Sequence, residues 1–267
     1  MPTVKTVHRY GGPVPGEGWR SAFFDHPRPI AFAHRGGARE APENSWTAFE
    51  HAVSLGYSYI ETDVRASADG VAVAFHDPTL GRLTGAQGAL SATSWAQLRR
   101  LRLADGQAVP RLDELLSAWP SLRWNIDVKA DEAVGPVVAC IKRAGAGERV
   151  LVTAFSDRRV AKLAAALPTV ATGAGRNAVA AMLLAARLGL ARTARSAAFQ
   201  VPPSYRGVKL VSARFIAACH RSCAQVHVWT VDDQGQMAKW LDLGVDGVMT
   251  DRPSVLKALL AQRGQWA

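Results

Sequence analysis

Two acidic residues and a histidine lie on the two arms of a predicted β-hairpin. Glu61 and Asp63 belong to a β-favouring stretch at 59–65, and residues two apart in a strand share one face. Asp69-Gly70 is a turn signal, and the apolar stretch after it ends at His76. Because the link is too short for a helical crossover, we expect the two arms to pair antiparallel. The hairpin then brings His76 back beside Glu61 and Asp63.

Polar residues also end four other predicted strands. His34 and Arg35 follow the first strand, and Asp127 and Lys129 share one face at the end of the third. The seventh and eighth strands end in Trp229-Thr230 and Thr250-Asp251. In a barrel of parallel strands these ends form one rim, so groups that are distant in sequence are expected to converge there.

The carboxylates in this set favour a hard divalent cation. Glu61, Asp63 and Asp127 offer only oxygen ligands, which suit Mg²⁺ or Ca²⁺ better than Zn²⁺. With one such ion, Arg35 and Lys129 would leave the site with a small net positive charge. That balance would attract a phosphodiester monoanion, and we therefore expect one divalent cation to be required.

The two histidines suit acid–base chemistry on a phosphodiester. His34 and His76 belong to different strand ends and could flank a scissile P–O bond. One would deprotonate the nucleophile and the other would protonate the leaving alkoxide. Arg35 and Lys129 would stabilise charge on the phosphoryl oxygens, although either could instead only pair with a carboxylate of the site.

The elements that position these residues alternate regularly. The predicted strands cover residues 29–33, 59–65, 122–128, 150–154, 170–173, 198–201, 226–231 and 247–250, with helical patterns between them. Eight such units in about 250 residues are typical of an α/β TIM-type (β/α)8 barrel. The hairpin's return arm at 71–75 and a small insertion at about 77–110 interrupt the second unit. An open doubly wound sheet is the competing fold.

The domain organisation follows from these elements. We assign residues 29–262 to a single barrel domain and residues 1–28, which are rich in Gly and Pro, to a loose N-terminal leader. Three cysteines in 267 residues are too few for a disulfide framework. No secretory signal and no apolar stretch long enough for a bilayer is present. These features predict a cytoplasmic protein.

The net charge of +10 raises the question of an acidic partner. The basic residues are spread along the chain without the interleaved aromatic residues typical of nucleic-acid readers, so we expect no nucleic acid. A small-molecule phosphodiester fits the charge better. Transient contact with an anionic membrane surface and a merely solvated basic surface both stay open, and the oligomeric state is not indicated.

A series of short motifs runs in a fixed order through residues 28–256. They are His34-Arg-Gly36, Pro42-Glu-Asn44, Glu61-Thr-Asp63, Asp69-Gly70, Phe75-His-Asp77, Leu80-Gly-Arg-Leu-Thr84, Val109-Pro-Arg-Leu-Asp-Glu-Leu115, Asn125-Ile-Asp-Val-Lys129, Val228-Trp-Thr-Val231 and Gly244-Val-Asp-Gly-Val-Met-Thr-Asp251. In order and spacing they resemble the glycerophosphodiester phosphodiesterases.

The resemblance implies a TIM-type barrel and metal-dependent hydrolysis of glycerophosphodiesters to glycerol 3-phosphate and an alcohol. It makes His34 and His76 the acid–base pair and gives the metal to the three acids named above. It also favours a ligand contact for Trp229 at the rim over simple barrel packing. The chain departs from the family at Asp127, where Glu is usual, so one metal ligand is a methylene shorter.

Two other functions stay open at this point. A phospholipase D-like activity on lysophospholipids needs the same core with a more apolar mouth, and the sequence around 80–103 does not distinguish the two activities. A catalytically silent barrel that binds anionic ligands or lipid surfaces is the alternative from a different class. Its mark would be a missing histidine or acid, and none is missing here.

Overall fold

The strands of the computed structural model, which describes residues 21–27 and 29–266, match the predicted alternation closely. They are β1 (Ile30–Ala33), β2 (Tyr59–Ala66), β3 (Ala72–Ala74), β4 (Arg123–Val128), β5 (Val150–Thr153), β6 (Ala171–Thr172), β7 (Ala198–Val201), β8 (Ser204–Tyr205), β9 (Val208–Lys209), β10 (Gln225–Val228) and β11 (Gly247–Thr250).

Eight of these strands form a parallel barrel in the order β6-β5-β4-β2-β1-β11-β10-β7. Its two ends meet through a parallel bridge between Gly173 and Ala198. Two backbone hydrogen bonds support the closure, from Ala197 N to Thr172 O at 2.9 Å and from Ala174 N to Ala198 O at 2.8 Å. The predicted TIM-type barrel is confirmed, and the competing prediction of an open doubly wound sheet is wrong.

The helices lie outside the barrel between consecutive strands, and the second and third of them belong to the insertion after β3. They are α1 (Trp46–Ser54), α2 (Gly81–Thr84), α3 (Trp95–Leu98), α4 (Leu112–Ala118), α5 (Val134–Arg143), α6 (Asp157–Ala166), α7 (Arg176–Leu188), α8 (Ala213–Arg221), α9 (Gln234–Leu243) and α10 (Pro253–Gln262). Side-chain caps fix where several of them begin: Ser45 accepts from Ala48 N, Ser156 from Arg159 N, and Asp233 from Gln236 N. None of the helices within 21–27 and 29–266 has both the length and the apolar character needed to cross a bilayer.

The hairpin of β2 and β3 has the predicted antiparallel pairing. Val64 pairs with Ala74 and Ala66 with Ala72, and Gly70 takes a φ of +78° at the turn. Beyond β3, the insertion leaves the barrel and builds a small core of its own from the buried side chains of Val73, Phe75, Leu80, Leu90, Leu98, Leu103 and Val109. The insertion is therefore a packed unit that lies beside the ends of β2 and β3.

The barrel interior is apolar at one end and polar at the other. At the amino end of the strands, Phe32, Tyr59 and Met249 pack around Phe23 in one buried cluster. Phe23 belongs to a short 3-10 helix, Ala22–Phe24, and its carbonyl accepts a hydrogen bond from the Tyr59 hydroxyl. Residues 21–27 of the predicted loose leader thus include a plug for the barrel floor, and residues 1–20 and 28 of that leader lie outside the described residues. Since the floor is filled, ligand chemistry is confined to the opposite mouth.

Candidate active site

A tight loop after β1 presents His34 and Arg35 at the mouth. Arg35 takes a φ of +52° and Gly36 a φ of +82°. A Cβ on Gly36 would lie 2.7 Å from the Cβ of Ala48 in α1. Only glycine permits both the conformation and this close approach, so the loop is pinned against α1 and the histidine is held in place.

Three carboxylates line the neighbouring strands. Glu61 and Asp63 alternate with buried residues of β2, and the parallel register places Asp63 beside Asp127 of β4. All three side chains are buried. Asn44, which is also buried, donates to Asp63 Oδ2 at 3.1 Å and accepts from the Thr62 hydroxyl at 2.8 Å. The carboxylates are thus fixed in position by the strands and by this amide.

Two basic side chains balance these carboxylates. The Lys129 ammonium lies 2.6 Å from Asp63 Oδ1 and 2.5 Å from Asp127 Oδ2. The Arg35 Nε lies 2.9 Å from Asp63 Oδ2, and its backbone N–H donates to Glu61 Oε2 at 3.0 Å. Buried charges are tolerated only when they are paired in this way, so the cluster forms one electrostatic unit.

The shared environment shifts the pKa of each acid differently. Burial and the adjacent Asp63 carboxylate raise the pKa of Glu61 to about 7. Burial also acts to raise the pKa of Asp63, but Lys129 and Arg35 outweigh it and lower the pKa to about 2. Burial raises the pKa of Asp127 in spite of Lys129. Asp63 is therefore the most firmly ionised of the three.

Each of the two histidines is oriented by its own aspartate. His34 donates from Nδ1 to Asp251 Oδ1 at 2.6 Å, and its Nε2 lies 3.7 Å from Glu61 Oε2. His76 donates from Nδ1 to Asp77 Oδ1 at 2.7 Å. Because a carboxylate only accepts, the Nδ1 of each ring carries the proton and the Nε2 is left for chemistry. Burial acts to lower the pKa of His34, but Glu61 and Asp251 outweigh it, so that this pKa is raised.

Arg82 of the insertion joins the second of these pairs to the rest of the site. Its guanidinium donates to both oxygens of Asp77, at 2.6 and 3.0 Å, and to both oxygens of Glu43, at 2.8 Å each. Glu43 in turn accepts from Arg35 Nη1 at 3.0 Å. Bidentate pairs of this kind fix orientation as well as charge, so the insertion is anchored to both histidine loops.

Trp229 lies at the mouth, beyond an aromatic neighbour. Its ring meets Phe155 edge to face, with ring centroids 5.7 Å apart. The Lys129 ammonium stands 5.6 Å from the centroid of the Phe155 ring, and the Arg176 guanidinium lies 4.7 Å from it. Trp229 is thus connected to the charged cluster through Phe155, which is 40% exposed and open to a ligand.

The structure brings seven of the eight predicted site residues into one cluster. They are His34, Arg35, Glu61, Asp63, His76, Asp127 and Lys129, with Trp229 one side chain further out. Sequence reasoning assigned no role to Asp251, Arg82 or Phe155 and left Asp77 open. Asp77 and Asp251 lie at the end of a hairpin and of a strand, and these positions could have predicted a place at the site. No sequence pattern indicated a place at the site for Phe155.

The Asp251–His34 contact leads to a prediction about orientation. Asp251→Asn should leave the shape intact but offer Nδ1 the wrong hydrogen-bonding partner, so kcat should fall by about 10² to 10⁴-fold. KM should change little, because Asp251 faces the ring rather than the mouth. Asp242→Asn, which breaks a surface pair with Arg263, is the matched control. A fall in KM and thermal stability with kcat unchanged would contradict the orienting role.

The acid cluster also allows a test of fit for a divalent cation. Asp127 Oδ1 is buried without a hydrogen-bond partner among the described residues, and all donors in the set are hard oxygens. As the side chains stand, no three His, Cys, Asp or Glu groups within 21–27 and 29–266 are arranged to hold an ion. The Lys129 ammonium lies between Asp63 and Asp127 instead. The oxygen donors of this set therefore fit a hard cation. The Lys129 ammonium would have to move from between Asp63 and Asp127 for such an ion to bind.

These features define a class of protein. Parallel-barrel enzymes carry their chemistry on the loops that follow the strands, and here two Asp–His pairs, three acids and two basic groups converge on that face. Convergent titratable groups with shifted pKa values mark a functional site. The molecule thus belongs to the parallel-barrel proteins with a cluster of charged and titratable side chains at the mouth of the barrel.

Comparison with known proteins identifies the family. The model of the glycerophosphoryl diester phosphodiesterase family matches residues 34–255. A Mycobacterium tuberculosis protein named "Probable glycerophosphodiester phosphodiesterase 2" is 41% identical over 91% of this chain and 95% of its own length. A glycerophosphodiester phosphodiesterase of Caldanaerobacter subterraneus is 26% identical over 89% of this chain and 100% of its own length. The solved glycerophosphodiester phosphodiesterase of Agrobacterium tumefaciens superposes with a TM-score of 0.74 at 25% identity, covering 88% of this chain and all of that one.

This chain belongs to the glycerophosphoryl diester phosphodiesterase family. The predictions of the family, of a barrel fold and of an enzyme are therefore confirmed. The roles of the individual site residues stay predictions.

Proposed function

We propose that the chain hydrolyses glycerophosphodiesters to glycerol 3-phosphate and an alcohol, with His34 and His76 as the acid–base pair. The observation that carries the proposal is the pair of aspartate-oriented histidines on either side of one charged cluster. His34 Nε2 lies 3.7 Å from Glu61 Oε2, and His76 directly follows Phe75, whose backbone N–H donates to the Asp63 carbonyl at 2.8 Å. Two imidazoles facing one anion site suit a reaction that removes one proton and supplies another.

Each step of such a hydrolysis has a group to serve it. The Nε2 of one histidine accepts the proton of the attacking hydroxyl, and the Nε2 of the other donates a proton to the alkoxide that leaves phosphorus. Arg35 and Lys129 hold positive charge beside the phosphoryl oxygens, where negative charge grows in the transition state. Burial strengthens these electrostatic interactions, because the site excludes much of the solvent.

We propose Glu61, Asp63 and Asp127 as the residues that would hold one Mg²⁺ or Ca²⁺ ion. When bound, the ion would polarise the phosphoryl group and offset charge on its oxygens. Asp63 suits this role because it stays ionised, and Asp127 Oδ1 suits it because this buried oxygen has no other partner among the described residues. The Asp at 127 is shorter than the Glu usual in the family, so the ion would sit closer to β4 or take water into the gap.

A reducing compartment such as the cytoplasm fits the cysteines. Among the described residues, Cys140 and Cys219 are free thiols. Burial raises the pKa of Cys219 well above its usual value, which keeps that thiol unreactive. We therefore infer that the protein works where thiols stay reduced.

A substrate panel tests the proposed activity. Purified enzyme with Mg²⁺ or Ca²⁺ should release glycerol 3-phosphate from glycerophosphocholine, glycerophosphoethanolamine and glycerophosphoglycerol, measured with glycerol 3-phosphate dehydrogenase. Lysophosphatidylcholine with choline detection forms a separate arm. Choline release from the lysolipid together with no glycerol 3-phosphate from any soluble diester would replace the proposal by the lysophospholipase D-like activity. No release in either arm would favour a binding protein.

A further inference from the structure

Charge is distributed very unevenly along this chain. Residues 158–231 contain eleven of the 32 basic residues and none of the 22 acidic residues. The rest of the chain therefore holds 21 basic and 22 acidic residues, which nearly cancel. The whole net positive charge of the protein thus arises from one continuous segment, which runs from α6 to β10 and forms one side of the barrel.

Most of the positive charge in this segment is not paired with a carboxylate of the described residues. Arg159 and Lys162 of α6 pair with Asp131, which belongs to the preceding unit. Past α6, eight exposed basic side chains have no ion pair with any carboxylate of the described residues: Arg176, Arg187, Arg192, Arg195, Arg206, Lys209, Arg214 and Arg221. Solvated surfaces usually intersperse both signs, so this side carries a field of one sign.

The exposed large hydrophobic side chains concentrate on the same side. There are six of them among the described residues. Leu184, Leu188, Leu190, Tyr205 and Val208 lie within the acid-free segment, and Phe155 lies three residues before it. The exposed fractions of Leu184, Leu188 and Leu190 are 58, 61 and 56%. Single exposed leucines are ordinary, but a group confined to one surface marks an interaction site.

Two elements present these side chains outward. Leu184 and Leu188 are four residues apart in α7 and therefore lie on one face of the helix. The second element is the hairpin of β8 and β9, which pairs only with itself. Tyr205 and Val208 face each other across it, and Arg206-Gly207 form its turn with φ values of +48° and +79°. We call these five apolar residues and the eight unpaired basic residues the apolar–basic face.

The face adjoins the mouth of the barrel. The β8–β9 hairpin directly follows β7, and Phe155 directly follows β5, so both lie on the side where the parallel strands end. Arg176, which stacks on Phe155, begins α7. The face therefore extends from the rim of the catalytic site along the outside of α7.

We propose that the apolar–basic face docks on an anionic lipid surface. Unpaired arginines attract anionic head groups, and exposed leucine, tyrosine and valine side chains insert below them, which is how peripheral surfaces bind lipid. A second copy of the chain fits poorly, since docking face to face would oppose two sets of unpaired cations. Nucleic acid would use the cations but would leave the apolar side chains without partners. Docking places the outer side of the barrel around α7 against the lipid surface, and this inference goes beyond the reaction proposed above.

Vesicle co-sedimentation of the full chain tests the proposal. Wild-type protein should sediment with vesicles of phosphatidylcholine containing about 30% phosphatidylglycerol and not with pure phosphatidylcholine. Raising the salt from about 0.1 to about 0.5 M should weaken binding, because exposed charges are screened. Leu184→Gln with Leu188→Gln, and separately Tyr205→Ser with Val208→Ser, should each lower the partition coefficient by about tenfold or more.

Charge reversal provides the matched comparison. Arg187→Glu with Arg192→Glu should lower binding at least tenfold. Lys142→Glu with Lys239→Glu, which reverses two exposed lysines on α5 and α9, makes the same change in net charge and should leave binding within about twofold. Turnover of soluble diesters and the melting temperature should match wild type in all four variants, since these side chains lie outside the site and the core.

Five outcomes would overturn the proposal. They are absence of wild-type binding to the anionic vesicles, equal loss of binding in the Lys142/Lys239 control, and unchanged binding in the leucine variant. The fourth is a dimer in solution that the leucine substitutions convert to a monomer, which would make the face a contact between copies. Loss of duplex DNA binding in the arginine variant, with vesicle binding unchanged, would count equally against it.

Discussion

His34→Ala and His76→Ala are each expected to lower kcat on glycerophosphodiesters by about 10² to 10⁴-fold. Each substitution removes one of the two imidazoles that an aspartate holds through Nδ1, while that aspartate remains. Both histidines lie at the mouth, outside the apolar clusters that stabilise the barrel. The melting temperature should therefore change by only a few degrees.

The leaving group separates the two roles. A glycerophosphodiester that expels p-nitrophenolate needs no proton donor for departure, because that anion is stable near neutral pH. The variant that lacks the general acid should regain most of its rate on this substrate, and the variant that lacks the general base should not. His51→Ala, which breaks a peripheral pair with Glu40, serves as the control for loss of an imidazole. Wild-type rates in either active-site variant would remove that histidine from the mechanism.

The fold could be predicted largely because each strand and helix carries its own local signal. Seven of the eight barrel strands begin and end within two residues of the predicted positions. The exception is β10, which ends at Val228 and not at residue 231. There the chain bends across the rim, with Trp229 N donating to Val201 O and Val231 N to Met249 O. Strand-like residues continue past the turn, so composition could not reveal it.

The convergence of the site was predictable for the same reason, but its connections were not. Strand ends and two-residue spacing place acids and histidines on one rim without any knowledge of packing. The choice of partner is a matter of distance in space: Asp251 lies 217 positions from His34, and Glu43 lies 39 positions from Arg82. Glu43 likewise pairs with two arginines, Arg35 and Arg82, and nothing in its sequence position indicates those partners.

The charged side of the barrel shows a different limit of prediction from sequence. Basic residues are spread along the chain, and a search for basic clusters therefore finds little. The informative feature is the absence of acidic residues from 158–231, which is visible in the sequence. It indicates an interaction surface only once the structure shows that the exposed leucines belong to the same segment. Contact with an anionic membrane surface, which the charge had left open, is therefore the interaction that we propose for this side of the barrel.

Removal of divalent cations is expected to have an effect as large as the loss of a histidine. Dialysis against a chelator should lower turnover at least 10²-fold, and Mg²⁺ or Ca²⁺ should restore it. Three buried carboxylates and the unpartnered Asp127 Oδ1 are the groups that give reason for this expectation. A second readout is independent of catalysis: the ion should raise the melting temperature of wild-type protein, because it binds only the folded chain.

Asp63→Asn provides the matched variant for the metal prediction. It keeps the shape of Asp63 but removes the charge that stays most firmly ionised in the cluster. The ion should then neither raise the melting temperature nor restore turnover.

Lys129 competes with the ion for the same carboxylates. Its ammonium already neutralises Asp63 and Asp127 and would have to move away for the ion to bind. Lys129→Met should therefore strengthen metal binding while lowering turnover. Full activity in chelator, together with a melting temperature insensitive to either ion, would show that the lysine alone supplies the positive charge at these carboxylates.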